Sequence, residues 1–138
     1  MRALFVRLAA DRLGGAILEF AILAPVLFAV VLGAIDFGYM FYVRGGLEYA
    51  TEDAARYYML NPATVTTSQV TTYLQGKMPG GMGPNVNVSY SDATSCNGNG
   101  NVTCTTITAT YVFAFAGYRP LGAMTLRATA QAVRLLGP

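Results

Sequence analysis

The segment GGAILEFAILAPVLFAVVLGAIDFGYMFYV, residues 14–43, decides the architecture of this 138-residue chain. From Gly15 to Val43 it contains only two residues that are charged at neutral pH, Glu19 and Asp36. As one helix this stretch would extend about 44 Å, more than the ~30 Å hydrocarbon core of a bilayer. The sequence therefore predicts three parts: a short basic leader (1–14), a transmembrane or assembly helix (15–43) and an exported domain (44–138).

Basic residues precede the apolar segment. Arg2, Arg7 and Arg12 are opposed only by Asp11, so these first residues carry the net charge of +2 of the whole chain. Positive charge beside an apolar helix keeps that end in the cytoplasm. The N-terminus is therefore predicted to be cytoplasmic and the rest of the chain to be exported.

Two simpler explanations of the segment remain open. A cleaved secretory signal has the same basic start, but no clear small-x-small cleavage site precedes Asp36. An uncleaved signal anchor, holding a binding or interaction protein at the periplasmic face, fits the hydropathy equally well. Neither explains Glu19, because an acid in an apolar helix costs about 2.5–3.5 kcal/mol at the centre and less near an end.

The stretch GGAILEFAILAP, residues 14–25, resembles the processing region of type IV prepilins, specifically the TadE-like pseudopilins of tight-adherence (Tad/Flp) pilus systems. The resemblance implies that a prepilin peptidase cuts between Gly14 and Gly15. Glu19 then becomes the fifth residue of the mature chain, followed by Phe20. Cutting after Gly15 is the alternative, and it would make Glu19 the fourth.

The same resemblance implies a function. It indicates a minor pilin or pseudopilin that takes part in pilus assembly, surface adherence and biofilm formation. The implied location is the bacterial inner membrane, with a periplasmic domain that can reach the extracellular pilus. The implied partners are the prepilin peptidase, other pilin subunits, the Tad assembly platform and, before assembly, membrane lipid. A pseudopilin of a type II secretion machine shares this leader chemistry and is a further alternative.

Glu19 has a physical role in this interpretation. Cleavage creates a positive α-amine on Gly15, and the carboxylate of Glu19 on a neighbouring subunit can pair with it, which removes two buried charges together. The acid also lies in the first turns of the mature helix, where the helix dipole favours negative charge. The alternative is an interfacial glutamate that reaches water. Pro25 removes one backbone donor, so a kink is predicted near residues 21–25.

The exported part predicts an α+β fold. Leu47, Ala50, Ala54 and Tyr58 recur at helical spacing, which continues the first helix with an apolar stripe, and Glu52 is placed to pair with Arg56. A second short helix follows, begun by a capping box of Thr66 and Gln69. Period-two alternation over 86–90, 106–115 and 126–132 then predicts about three antiparallel strands, although the alanine content of the last also allows a helix.

The two cysteines, Cys96 and Cys104, lie in the polar stretch SDATSCNGNGNVTC, residues 91–104. In an oxidising compartment they are expected to form one disulfide, and in a reducing one they would stay free. Oxygens of Asp92, Asn97, Asn99 and Asn101 offer a weak calcium alternative, because one carboxylate is little charge for such a site.

Other chemistry is not expected. The chain has no histidine, so an ordinary nucleophile–base pair is missing, and the acids of the exported part show no paired-carboxylate pattern. No basic run indicates nucleic acid. The sequence therefore predicts no enzyme, no cofactor, no metal and no nucleic-acid partner; the chain is instead expected to be the substrate of a peptidase.

Overall fold

The computed structural model describes residues 12–61, 64–93, 96, 102–115 and 122–135. Its elements, in chain order, are α1 (Arg12–Leu60), α2 (Thr67–Lys77), β1 (Val86–Ala93), β2 (Val102–Ala114) and β3 (Ala123–Leu135). Two short 3₁₀ turns connect α2 to β1. The predicted α+β class is confirmed: a long N-terminal helix, a short second helix and a three-stranded antiparallel sheet.

Helix α1 is a single element of 49 residues. It continues through Pro25 and through the pair Gly45–Gly46 without interruption. Pro25 has no N–H to donate to the carbonyl of Ala21, yet the surrounding hydrogen bonds keep both flanks helical. The change of axis direction at Pro25 stays a prediction.

The C-terminal half of α1 packs on the sheet. Leu47, Ala50, Ala54 and Tyr58 are all buried, which confirms the predicted stripe. The buried side of the helix begins earlier than that stripe, at Met40 and Val43, and includes Thr51. The predicted pair of Glu52 with Arg56 was wrong. An ion pair within this helix joins Arg44 Nε to Glu48 Oε1 at 2.9 Å.

Helix α2 begins with the predicted capping box. The backbone N–H of Gln69 donates to Thr66 Oγ1 at 3.4 Å, and the N–H of Thr66 donates to Gln69 Oε1 at 2.9 Å. Two otherwise unsatisfied donors of the first turn are thereby bonded. Val70 and Leu74 are buried, so this helix packs against the core through these two side chains.

The sheet has the strand order β1–β2–β3 with both pairs antiparallel. Its third segment is therefore a strand, despite the alanine content. Period-two alternation gives the sheet a buried inner face, which packs on α1 and α2, and a polar outer face. Buried residues of the inner face include Val86, Thr105, Ile107, Ala109, Phe113, Leu126, Ala128 and Ala132.

Aromatic contacts fix which end of the sheet meets the apolar segment. The ring centroids of Phe37 and Phe115 are 5.6 Å apart, and those of Tyr39 and Phe113 are 5.7 Å apart. The end of β2 therefore lies beside residues 37–39 of α1. Cys104 lies near the other end of β2, about 30 Å away at the rise of a strand.

Candidate assembly surface of the N-terminal helix

The N-terminal half of α1 exposes its large apolar side chains on all sides. Twelve of them are between 47% and 72% exposed. They are Ile17, Leu18, Phe20, Ile22, Leu23, Val26, Leu27, Phe28, Val30, Val31, Leu32 and Ile35. So large a continuous apolar surface is unfavourable in water and marks a surface that lipid or protein covers. By length and composition, α1 is also able to cross a membrane.

Glu19 lies within this apolar surface. Its side chain is exposed and forms no hydrogen bond or ion pair with the described residues. Val26 and Val30 follow it at i+7 and i+11, so all three share one side of the helix. A carboxylate in this position requires either water or a cation other than those of the described residues, because an unpaired buried charge is costly.

The pair Gly14–Gly15 lies in the first described turn of α1. A Cβ at Gly15 would have no neighbouring atom within 4 Å, so the backbone there is open on that side. Glycine weakens a helix by about 1 kcal/mol per residue relative to alanine. Local unwinding around this peptide bond is therefore inexpensive, and a peptidase requires an accessible, extended backbone.

A shallow groove of about 500 Å³ lies farther along the same helix. Its described lining residues are Pro25, Val26, Ala29, Val30, Gly33, Asp36 and Phe37. The depression results from small side chains at Ala29 and Gly33 between larger ones. Because small residues allow helices to approach closely, the groove has the shape that accepts the side chains of another helix.

A polar cluster that joins α1 to α2 was not predicted from the sequence. Tyr73 Oη donates to Asp53 Oδ2 at 2.9 Å, and Lys77 Nζ lies 3.2 Å from the same oxygen. The ring of Tyr73 stacks on that of Tyr57 with centroids 4.5 Å apart, and Lys77 Nζ lies 5.0 Å from its centroid. The hydrogen bond from Tyr73, assisted by Lys77, lowers the pKa of Asp53 below its ordinary 3.8. The same tyrosine and Asp53 raise the pKa of Lys77.

The two cysteines form the predicted disulfide. Cys96 is bonded to Cys104, with their Cα atoms 5.5 Å apart, at the end of the sheet remote from residues 37–39. Asp92 accepts a hydrogen bond from Thr105 Oγ1 at 2.6 Å, so one oxygen of the predicted calcium alternative is used by the sheet itself. Asn97, Asn99 and Asn101 lie outside the described residues. In the described part of the chain no three acidic or cysteine side chains gather to hold a metal ion.

The predicted site residues fall into two separate groups. Gly14, Gly15, Glu19, Phe20 and Pro25 follow one another along the exposed half of α1. The disulfide lies at the opposite end of the molecule, beyond the sheet. The first group therefore forms one linear surface on a helix, rather than a pocket in which side chains converge on a substrate.

Comparison with known proteins agrees with this arrangement. The family model described as TadE-like protein matches residues 14–56. The match includes both glycines, Glu19, Pro25 and most of the buried stripe, and it ends before the sheet. No curated protein and no solved structure matches the chain. Over residues 14–56, the chain is therefore similar to TadE-like proteins.

Proposed function

We propose that this chain is a minor pilin or pseudopilin of a Tad (Flp-type) pilus. A prepilin peptidase of the bacterial inner membrane cuts it between Gly14 and Gly15, and the mature subunit takes part in pilus assembly, surface adherence and biofilm formation. One observation carries the proposal: the large apolar side chains in the N-terminal half of α1 are exposed on every side and are not covered by the other described residues, and Glu19 among them forms no pair with a described residue. The TadE-like match over the same residues supports it.

The chemistry of processing explains the position of the acid. Hydrolysis of the Gly14–Gly15 bond removes the basic leader and leaves an ammonium group on Gly15. This group and the carboxylate of Glu19 on an adjacent subunit neutralise each other when both enter an apolar filament core. A subunit in the wrong register leaves both charges unpaired. The pair therefore selects register, and the apolar side chains around it supply the contact area.

The size of the exported part favours a minor subunit. Major pilins of these systems are much shorter chains, and this one carries a folded domain of two helices and a sheet on its apolar segment. A domain of that size suits an initiating or tip subunit, or a pseudopilin that acts with the assembly platform. In this role the chain is the substrate of a peptidase and a partner of other pilin subunits, and it needs no cofactor.

The test is the substitution Glu19→Gln, which keeps the size of the side chain and removes its charge. Glu52→Gln is the matched control, because Glu52 is an exposed acid on the same helix, outside the apolar half. We expect Glu19→Gln to insert into the inner membrane normally and to reduce assembled pili about tenfold or more, the effect of losing roughly 1.4 kcal/mol or more of pairing. The control is expected to assemble normally.

Equal assembly of both variants would contradict the proposed pairing. If, in addition, neither variant nor deletion of the whole chain affected piliation, the signal-anchored interaction protein would be the better explanation. Loss of secretion of a folded substrate, with pili intact, would instead favour a pseudopilin of a type II secretion machine.

A further inference from the structure

Four aromatic residues surround α1 just beyond its apolar half. This aromatic collar consists of Phe37, Tyr39, Phe41 and Tyr42, which are between 42% and 61% exposed. The rings of Tyr39 and Tyr42 stack with centroids 6.3 Å apart. Tyrosine and tryptophan are enriched where a membrane helix crosses from hydrocarbon into headgroups, because their rings are apolar and their edges are polar.

The spacing of charges places the collar at that depth. Glu19 and Asp36 are the charges on either side of an uncharged run, and seventeen helical steps separate them by about 26 Å, close to the ~30 Å hydrocarbon core. The collar follows Asp36 over the next ~9 Å of helix, whereas the headgroup layer on each side is about 5–8 Å thick. When Asp36 lies at the outer boundary of the hydrocarbon, the collar therefore lies among the headgroups.

One end of the sheet lies at the same level. Phe115 contacts Phe37 and Phe113 contacts Tyr39, so both rings, one in β2 and one directly after it, are held against the collar. Met124 of β3 is the register partner of Phe113 and is 45% exposed. Since α1 is one uninterrupted helix from the apolar half through the collar into the core, its insertion also fixes the height of the sheet.

We propose that this end of the sheet, whose described residues include the buried Phe113 and Phe115 and the exposed Met124, lies at the depth of the headgroup layer of the outer leaflet. The exported domain then rests on the membrane surface and does not stand free above it. The inference depends on the membrane insertion of α1 that belongs to the proposed function, but not on the peptidase or the pilus. Its ligand is the phospholipid surface itself.

The chain contains no tryptophan, so single tryptophans report depth without background. The probe is Met124→Trp, and Val133→Trp is its matched control. Both sites lie on β3 with nearly equal exposure, 45% and 46%, but at opposite ends of the strand, about 31 Å apart, and on opposite faces of the sheet. Ala123, which shares the face of Val133, controls for the difference in face. Phe28→Trp, in the middle of the apolar half, verifies insertion. The full chain is reconstituted into phosphatidylcholine vesicles with and without lipids brominated near the glycerol end of their acyl chains.

We expect the lipids brominated near the glycerol end to reduce the emission of Met124→Trp about twofold and to leave that of Val133→Trp unchanged. In separate vesicles, whose lipids are brominated deep in the acyl chains, we expect the emission of Phe28→Trp to be quenched. Ala123→Trp, at the exposed neighbouring position, repeats the test in case the first variant misfolds. Quenching of Phe28→Trp together with unquenched tryptophans at 123 and 124 would overturn the inference while leaving membrane insertion intact. Failure to quench Phe28→Trp would overturn both the inference and the membrane-inserted function on which it depends.

Discussion

Helix α1 contains two halves that share regular geometry and differ in everything around them. From residue 40 to residue 58 one side of the helix is buried by the sheet and by α2, with Val43, Leu47 and Ala50 fully inaccessible. From residue 15 to residue 35 the large apolar side chains are exposed on every side. The C-terminal half is covered by other described parts of the chain, whereas the N-terminal half needs lipid or another protein to cover it.

The comparison shows how apolar pattern distinguishes the two kinds of partner. A stripe at helical spacing, with polar residues on the other side, fits one sheet packed on one side of the helix. An apolar surface all around the helix fits lipid or a bundle of other helices. Glu19 interrupts the apolar surface that otherwise surrounds the helix. Because a charged side chain among lipid or apolar helices costs free energy, we expect Glu19 to make a specific interaction.

The largest expected effect separates the halves directly. Leu47→Ala removes a fully buried side chain from the core and is expected to destabilise the C-terminal α+β domain by about 2.7–5 kcal/mol. Leu27→Ala makes the same change where the side chain is 57% exposed, and we expect it to alter that stability by less than ~0.5 kcal/mol. Urea unfolding of the full chain in detergent, followed by tyrosine near-ultraviolet circular dichroism, measures both. Equal losses would mean that the N-terminal half also packs within its own chain.

The disulfide tests whether the far end of the sheet matters to the membrane segment. Replacing Cys96 and Cys104 together by serine is expected to lower the free energy of unfolding by about 2–3 kcal/mol, because the closed loop no longer restricts the unfolded chain. Membrane insertion, measured by vesicle flotation, is expected to be unchanged, since the disulfide lies at the remote end of the sheet. A loss of insertion would contradict the separation of the two halves.

The glycine pair near the junction of the halves gives a smaller, sharper test. A Cβ at Gly46 would lie 2.6 Å from Cγ of Pro79, whereas one at Gly45 would meet nothing within 4 Å. Gly46→Ala is therefore expected to cost about 1–3 kcal/mol by overpacking. Gly45→Ala is expected to be neutral or to stabilise by up to about 1 kcal/mol through helix propensity. If urea unfolding gave similar changes in the free energy of unfolding for Gly46→Ala and Gly45→Ala, Pro79 would not approach the helix as described.

The smallest expected effect is the pH dependence of the contact between α1 and α2. Because the folded pKa of Asp53 is lowered, its contribution to stability is present above its ordinary pKa of 3.8 and is lost as the pH falls through the lower folded value. Asp53→Asn should therefore reduce the difference in unfolding midpoint between neutral and acid pH. Tyr73→Phe should remove only part of this difference in unfolding midpoint, since Lys77 still pairs with the carboxylate. An unchanged acid dependence in Asp53→Asn would assign it to another group.

Local patterns in the sequence predicted most of the fold because they depend on neighbours in the chain. The stripe from Leu47 to Tyr58, the capping box of Thr66 and Gln69, and the alternation of the three strands all arise within a few residues. The contact of Asp53 with Tyr73 spans twenty positions and follows from packing of two helices that no local period specifies. The error at Glu52 and Arg56 has a related cause: i,i+4 spacing permits an exposed ion pair but supplies little free energy to form it.

The candidate site depends on a different kind of pattern and stays a prediction. Gly14, Gly15 and Glu19 form a linear motif that is defined by the order of its residues, and the structure adds that Gly15 and Glu19 are exposed. The position of the collar beside Phe113 and Phe115 was not predictable, because it depends on which end of the sheet meets α1. The direction in which β2 runs along α1 determines which end of the sheet lies beside the collar.

The central claim is that the exposed half of α1 is a prepilin segment processed between Gly14 and Gly15. Its most direct test is the intact mass and N-terminal sequence of the protein recovered from membranes of a host with an active prepilin peptidase. We predict a mature chain that begins at Gly15, with Glu19 as its fifth residue. A chain that begins at Met1, in a host that processes another prepilin under the same conditions, would contradict the claim.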